Sequence, residues 1–130
     1  MKLLLGSGGL RTPERKNMYL QLMNENFKGC RRILFIPYAS KDYDEYTNKV
    51  REMFKESKYE IIGIHESDNP IQEIREMEGI YVGGGNTFTL VRKLHEEGLI
   101  ESIRERVIED NIPYAGVSAG SNVACPTMQT

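Results

Sequence analysis

The chain has 130 residues, of which 39% are hydrophobic and 28% are charged, and its formal net charge is −2 at pH 7. This composition is typical of one globular domain spanning residues 1–130, and it excludes disordered and collagen-like chains. The charge gives no basic surface for nucleic acid, and the first apolar run, Leu3–Leu5, is too short for a secretory signal or a membrane span. We therefore expect a cytoplasmic protein with a small or peptide-like partner.

Five short apolar segments alternate with helical patterns along the chain. Their continuous apolar character, as in Ile33–Ile36, predicts parallel strands that helices cover on both faces. The predicted strands are Lys2–Leu5, Ile33–Pro37, Tyr59–Ile64, Gly79–Val82 and Pro113–Val117.

Helix start and stop signals separate these strands. Thr12 before Pro13 predicts the start of the first helix, and Asn69 before Pro70 predicts the start of the third, because a capping side chain followed by proline favours a helix N-terminus. The predicted inward residues are Tyr46, Val50, Met53 and Phe54 in the second helix, which follows Ser40; Ile71, Ile74 and Met77 in the third; Phe88, Val91 and Leu94 in the fourth; and Ile100, Ile103 and Val107 in the fifth. Gly29, Gly98 and Asn111 are the predicted helix ends.

This alternation predicts a three-layer α/β sandwich with a mostly parallel sheet, of flavodoxin-like or Rossmann-like type. Ligands of such folds bind in the loops at the carboxyl ends of the strands. The loops after the fourth and fifth predicted strands carry the clearest chemistry.

Gly116-Val117-Ser118-Ala119-Gly120 follows the fifth predicted strand directly. A Gly-x-Ser-x-Gly sequence between a strand and a helix is typical of a nucleophile elbow, in which glycines allow a tight turn that exposes the serine hydroxyl. We therefore predict that Ser118 is the catalytic nucleophile and that the Ala119 N–H donates to the oxyanion. The alternative interpretation is a plain glycine-rich turn.

Three consecutive glycines, Gly83–Gly85, leave the fourth predicted strand just before a helix. Acyl transfer needs two donors at the developing oxyanion, and the second commonly comes from a loop beside the nucleophile. We predict that the Gly85 N–H is this donor and that Gly84, Asn86 and Thr87 contact substrate. Neither this loop nor Gly6–Gly9 completes a nucleotide-binding fingerprint, so a nucleotide cofactor is the weaker interpretation.

Several segments together resemble peptidase E, the α-aspartyl dipeptidase family of serine peptidases. They are Ile33–Ala39 (ILFIPYA), Gly83–Phe88 (GGGNTF) and Gly116–Thr127 (GVSAGSNVACPT), with Gly63-Ile64-His65 before an Asp-Asn-Pro turn. The resemblance implies a cytoplasmic enzyme, similar in fold to class I glutamine amidotransferases, that hydrolyses dipeptides with an N-terminal aspartate. It also implies that Ser118 is the nucleophile and that Gly85 and Ala119 are the oxyanion donors.

The resemblance places the catalytic histidine and its acidic partner downstream of the serine, and neither is among the twelve residues after Ser118. We therefore expect the chain to be the amino-terminal part of a longer enzyme, and the 130 residues alone to lack activity. His65 and His95 are interpreted as a hydrogen-bonded loop residue and a surface residue.

Cysteines and histidines lack metal-ligand spacing, so we expect no metal, no cofactor and no disulfide between Cys30 and Cys125. The oligomeric state is expected to be a monomer or a homodimer. Three other functions remain open: a cyanophycinase-like aspartyl peptidase, a non-catalytic flavodoxin-like module that binds an anion or nucleotide, and an inactive relative retained for partner binding.

Overall fold

The computed structural model describes residues 3–6 and 13–117 of the chain. Strands and helices alternate up to the fourth strand, and two helices lie between the fourth and fifth strands; a short 3₁₀ turn follows the third strand and a π-helical turn continues the last helix. The strands are β1 (Leu3–Gly6), β2 (Arg32–Ile36), β3 (Glu60–Gly63), β4 (Gly79–Val82) and β5 (Tyr114–Val117). The helices are α1 (Pro13–Asn26), α2 (Tyr43–Met53), α3 (Pro70–Glu76), α4 (Thr87–Glu96) and α5 (Ile100–Arg104); the 3₁₀ turn is Ile64–Glu66 and the π turn is Glu105–Glu109.

All five strands are parallel, and their order in the sheet is β1-β5-β4-β2-β3. β5 therefore lies between β1 and β4, whereas β3 is an edge strand two positions beyond β4. The parallel α/β sandwich predicted from the sequence is confirmed, and each predicted strand overlaps an observed one.

Both faces of the sheet are covered, as the continuous apolar strands predict. In β2, Ile33 and Phe35 pack against one face with α1 and α2, whereas Leu34 and Ile36 pack against the other with α3, α4 and α5. All four side chains have no exposed surface. Since a fully buried side chain of this size contributes roughly 1.5–3 kcal/mol, this strand is a major source of stability for both helix layers.

Local signals place most helix ends correctly. The Asn69 side chain accepts a hydrogen bond of 3.2 Å from the Gln72 N–H, and Pro70 is the first residue of α3. Asn111 has φ 59°, which places it in the left-handed region after the last helical turn. At α2 the cap is Asp42, two residues after the predicted Ser40, and its carboxylate accepts from the Glu45 N–H at 3.0 Å. Thr12 lies outside the described residues.

Two predicted inward residues are exposed instead. Phe88 is 74% exposed, because successive helical residues are rotated by about 100° and Phe88 lies about 200° around α4 from the buried Leu90. Ile71 is 36% exposed, since the buried face of α3 is centred between Ile74 and Met77. The predicted inward faces of the other helices are confirmed, with Tyr46, Met53 and Ile100 partly buried against the core.

Candidate active site at the carboxyl edge of the sheet

The loop between β4 and α4 leaves the sheet beside β5. Val82, the last residue of β4, pairs with Gly116 of β5. β5 ends at Val117, and Ser118 is the next residue in the sequence. Ser118 and Ala119 lie outside the described residues, so their predicted roles stay predictions. What the structure describes is the neighbouring loop, Gly83–Asn86, which we call the glycine loop.

Three of the four N–H groups of the glycine loop are occupied. The Gly83 N–H donates to the Ile36 carbonyl at 3.1 Å, and the Asn86 N–H donates to the Ala39 carbonyl at 3.0 Å. The Gly84 N–H donates to the Tyr46 hydroxyl at 2.9 Å. Among the residues the structure describes, the Gly85 N–H has no acceptor. The loop thus offers one backbone donor to a ligand.

Gly85 can be occupied only by glycine without a change in the loop. Its φ is +143°, a backbone conformation that residues with a Cβ rarely adopt. A Cβ at this position would also lie 2.5 Å from the Ala39 carbonyl oxygen, which is far inside van der Waals contact. The backbone of the neighbouring β2–α2 connection therefore fixes how closely the loop approaches it.

Helix α4 begins directly after the glycine loop. The Asn86 side chain accepts a hydrogen bond of 2.9 Å from the Thr89 N–H and caps the helix, and Thr87 is its first residue. A helix N-terminus carries a partial positive charge of about half an elementary charge, which favours an anion or a developing oxyanion near the loop. The Asn86 side-chain N–H₂ and the Thr87 hydroxyl have no partner among the described residues.

A cavity of about 470 Å³ opens beside the glycine loop. Its lining combines the loop backbone with residues from the start of α2, and it holds two cationic and two anionic side chains. The lining residues are Ser40, Lys41, Asp42, Glu45, Tyr46, Lys49, Gly84 and Gly85. A larger groove of about 1200 Å³ runs between α1 and α2 and is lined mostly by polar side chains. The smaller cavity is the candidate site, because it is lined by Gly85, whose N–H has no acceptor among the described residues.

Neither histidine lies beside β5. His65 is in the 3₁₀ turn after the edge strand β3, where its Nε2 lies 2.8 Å from the Asp44 carboxylate. His95 is eight residues into α4, about 12 Å along the helix from the glycine loop. The interpretation of His65 as a hydrogen-bonded residue of a loop is confirmed.

The Gly6–Gly9 segment begins on the other side of β5. Gly6 pairs with Val117, so β1 ends at the same edge of the sheet as β5 and β4. Ser7, Gly8 and Gly9 lie outside the described residues. Cys125 also lies outside them, whereas Cys30 is half-buried and donates to the Glu78 carbonyl at 3.4 Å. In the described part of the chain, no group of three or more His, Cys, Asp or Glu side chains could hold a metal ion.

The sequence did not predict the hydrogen bond between the Tyr46 hydroxyl and the glycine loop. The pattern identifies Tyr46 only as one residue of the inward face of α2, and its hydroxyl meets a loop 38 residues further along the chain. Burial raises the pKa of Tyr46, so the phenol is neutral at pH 7. Nothing local in the sequence marks this contact, because strand order brings α2 and the loop together.

The fold and the site define the class of protein: a parallel α/β sandwich whose β4–α4 loop has a backbone N–H without an acceptor among the described residues and leaves the sheet beside β5, the strand that precedes Ser118 in the sequence. A family model described as "Peptidase family S51" matches residues 2–130, and the chain belongs to this family.

Several known proteins are similar to this chain. It is 44% identical over 98 residues to a Drosophila melanogaster protein named "Probable alpha-aspartyl dipeptidase", covering 75% of this chain and 41% of that protein. It is 41% identical over 133 aligned positions to "Peptidase E" of Nostoc sp. strain PCC 7120, covering 99% of this chain and 54% of that protein. The chain thus spans about half the length of the curated relatives it matches.

Solved structures agree with the fold. The crystal structure of a protein assigned as a peptidase E in Listeria monocytogenes EGD-e superposes with a TM-score of 0.66 at 26% sequence identity, covering 91% of this chain and 58% of that one. A peptidase from an acI-B1 Actinobacterium superposes with a TM-score of 0.65 at 24% identity and supports the fold alone. No helix in the described ranges is long and apolar enough to cross a membrane.

Proposed function

We propose that the protein is a serine peptidase that hydrolyses dipeptides with an N-terminal aspartate in the cytoplasm, without a metal or cofactor. The observation that carries the proposal is the position of the glycine loop: a backbone donor without an acceptor among the described residues lies beside the strand that leads into Ser118. The family and the names of the two curated relatives support the substrate class. We further propose a monomer or homodimer that binds no nucleic acid.

The proposed reaction proceeds through an acyl-enzyme. The Ser118 Oγ attacks the carbonyl carbon of the aspartyl residue while a general base takes the hydroxyl proton, and the carbonyl electrons move onto oxygen. The Gly85 and Ala119 N–H groups donate to this oxyanion. The tetrahedral intermediate collapses as the C–N bond breaks and the base returns the proton to the leaving amine, and water then hydrolyses the ester.

Gly85 is the donor that the geometry favours within its loop. A donor already used inside the fold would have to break a hydrogen bond before it could stabilise an oxyanion, and Gly83, Gly84 and Asn86 are all used in this way. Gly84 would then contact substrate through its Cα or carbonyl group. Asn86 and Thr87 would contact it through the side-chain N–H₂ and the hydroxyl, which have no partner among the described residues. We assign the general base to neither His65 nor His95, because both lie away from β5.

The Ser118→Ala variant of the natural full-length protein tests the proposal. We expect kcat for an α-aspartyl dipeptide to fall by at least about 10⁴-fold with the fold unchanged, because the substitution removes the nucleophile and leaves the backbone. Ser67→Ala is the matched control, since Ser67 follows β3 at the same edge of the sheet and its hydroxyl bonds only to Glu73 and Asn69 among the described residues. This control is expected to retain kcat.

A panel of substrates and reagents separates the alternatives. Preference for β-aspartyl over α-aspartyl dipeptides would favour a cyanophycinase-like enzyme. Nucleotide-dependent thermal stabilisation that persists in Ser118→Ala, without labelling of Ser118 by a phosphonate reagent, would favour a binding module. Equal hydrolysis by the wild type and Ser118→Ala would contradict the proposal.

A further inference from the structure

Only one side chain in the described part of the chain hydrogen-bonds to the backbone of the glycine loop. The Gly83 N–H donates to the carbonyl of Ile36, the last residue of β2, and the Asn86 N–H donates to the carbonyl of Ala39 in the β2–α2 connection. These acceptors are backbone atoms, so they do not depend on the side chains at those positions. The Gly84 N–H instead donates to the Tyr46 hydroxyl at 2.9 Å. The peptide group just before the one that carries the Gly85 N–H therefore depends on a phenol.

Tyr46 is itself held rigidly. Its ring packs edge-on against Phe35 of β2, with ring centroids 5.0 Å apart and planes at 82°. The glycine loop lies directly on the hydroxyl, since a Cβ at Gly83 would be 2.7 Å from that oxygen. A phenol fixed by a buried strand is thus a firm support for a loop that has no side chains of its own at Gly83–Gly85.

Position matters more for an oxyanion donor than for most backbone groups. The donor must meet the oxygen at about 2.7–3.1 Å in the transition state, and complete loss of one such donor costs about 10²–10³-fold in kcat. The Gly84 N–H and the Gly85 N–H belong to consecutive peptide groups, so a change in φ at Gly84 would turn the following peptide group and move the Gly85 N–H. A support that limits this rotation therefore acts on the rate of the chemical step.

We propose that Tyr46 is a positioning residue of the active site: through its hydrogen bond to the Gly84 N–H it holds the Gly85 N–H in place for the oxyanion. The inference rests on the proposed function, because it assigns Tyr46 a part in the same acyl transfer. Tyr46 acts through the loop, and the proposal requires no contact between Tyr46 and substrate.

The test compares Tyr46→Phe with Tyr81→Phe in the intact protein. Each variant removes one hydroxyl and keeps a ring that contacts Phe35, at 5.0 Å for Tyr46 and 5.1 Å for Tyr81. The Tyr81 hydroxyl bonds at 2.6 Å to that of Tyr19 and, among the described residues, makes no hydrogen bond to the glycine loop, so Tyr81→Phe controls for the loss of a buried hydroxyl. We expect Tyr46→Phe to lower kcat for an aspartyl dipeptide about tenfold with KM within about twofold, and Tyr81→Phe to leave both within about twofold.

A second measurement does not depend on activity. In ¹⁵N-glycine-labelled protein, hydrogen exchange of the Gly84 amide is expected to be at least about tenfold faster in Tyr46→Phe than in the wild type or Tyr81→Phe, because the amide loses its acceptor. Faster exchange together with the lower kcat supports the inference. Unchanged Gly84 exchange, or a kcat within twofold of the wild type, overturns it.

The two proposals fail in different ways. A wild-type protein that hydrolyses no aspartyl dipeptide, while Gly84 exchange still depends on Tyr46, overturns the proposed function and with it the catalytic part of the inference. A wild-type protein that is active, with Tyr46→Phe and Tyr81→Phe equal in kcat, overturns the inference alone. Equal losses of kcat in both variants would also overturn it, since any buried hydroxyl would then have the same effect.

Discussion

The turn after β3 and the glycine loop after β4 lie at the same edge of the sheet, yet they differ in how their polar groups are used. The turn carries side chains that chemistry often uses, including His65 beside Asp44. The glycine loop has no side chain over Gly83–Gly85. A search for reactive side chains alone would choose the turn, whereas the proposed function uses the loop, which lies beside β5 in the strand order.

Interactions within the turn use most of its polar groups. Glu66 accepts from the Gly63 N–H at 3.0 Å and forms a two-pronged ion pair with Arg51, one bond of which is 3.0 Å long. Arg51 also donates to the Ile61 carbonyl at 3.1 Å. These contacts connect α2 to the edge strand, and the turn therefore stabilises the packing of this helix against the sheet.

The glycine loop is held by hydrogen bonds to its neighbours, and one of its donors, the Gly85 N–H, is unused within the part of the chain that the structure describes. Its position beside β5 follows from the strand order, in which β4 separates β5 from β2 and β3. The turn also holds a buried polar atom without a partner among the described residues, His65 Nδ1, so the central position at the sheet edge is what distinguishes the glycine loop. Chemically reactive residue types at an edge strand are weaker evidence.

Among changes within these two regions, the largest effect is expected from Gly85→Ala, because the loop packs closely against Ala39. The new Cβ would meet the Ala39 carbonyl oxygen at 2.5 Å, so the loop must shift and the N–H of residue 85 must move. We expect kcat for an aspartyl dipeptide to fall by about 10²–10³-fold, the cost of losing one oxyanion donor. Steady-state kinetics of the intact protein measure this change.

Gly98→Ala is the control for backbone strain. Gly98 also has a positive φ, +67°, but a Cβ there meets no atom within 4 Å. We expect this variant to lose about 1 kcal/mol of stability and to keep kcat. If Gly85→Ala behaved like Gly98→Ala in kinetics, the glycine loop would not be part of the catalytic site.

A smaller effect, on stability, is expected from Glu66→Gln, which removes the Arg51–Glu66 ion pair in the turn after β3. The Glu66 and Arg51 side chains are each 38% exposed, so solvent screens the pair and we expect a loss of only about 0.5–1 kcal/mol at pH 7. Urea denaturation measures the difference. Glu96→Gln, in a more exposed contact with Arg92 at 3.9 Å, is the control and is expected to change stability by less than about 0.3 kcal/mol.

The effect of Glu66 depends on pH in a defined direction. The hydrogen bond from Arg51 holds the pKa of the Glu66 carboxyl below its usual range. A lowered pKa in the folded state means that the carboxylate stabilises the fold above the unfolded pKa, and that this stability is lost as pH falls through the folded pKa. The difference in the free energy of unfolding between the wild type and Glu66→Gln should therefore decrease below about pH 4. A difference that stayed constant at lower pH would contradict a stabilising role of the Glu66 carboxylate.

Local features of the fold could be predicted from the sequence. The Asn69-Pro70 start of α3 depends on contacts over three residues, and the buried strand β4 was predicted with the observed bounds. The inward direction of Phe88 was wrong because the stripe chosen at spacings of three contains only Leu94 of the two buried residues of α4, Leu90 and Leu94. Periodicity alone does not decide between two adjacent helix faces.

Features that depend on strand order could be predicted only in part. The glycine pattern singled out the loop, and the resemblance to a family gave Gly85 its expected role. That Tyr46 occupies the Gly84 N–H, and that Ala39 limits Gly85, could not be read from the sequence because these contacts span 38 and 46 residues. The sheet order that produces them is a property of the whole fold.

The smallest expected effect on activity comes from His65→Gln, which removes the imidazole from the turn after β3. Three strand spacings of about 4.8 Å separate β3 from β5, so the ring is on the order of 14 Å from the end of β5. General-base catalysis requires a hydrogen bond of about 2.6–3.2 Å to the nucleophile or to one intervening water. We therefore expect kcat, KM and their pH dependence to stay within about twofold of the wild type. A fall in kcat of about 100-fold or more, with the fold intact by circular dichroism, would place the turn in the catalytic site and reverse the distinction between the two regions.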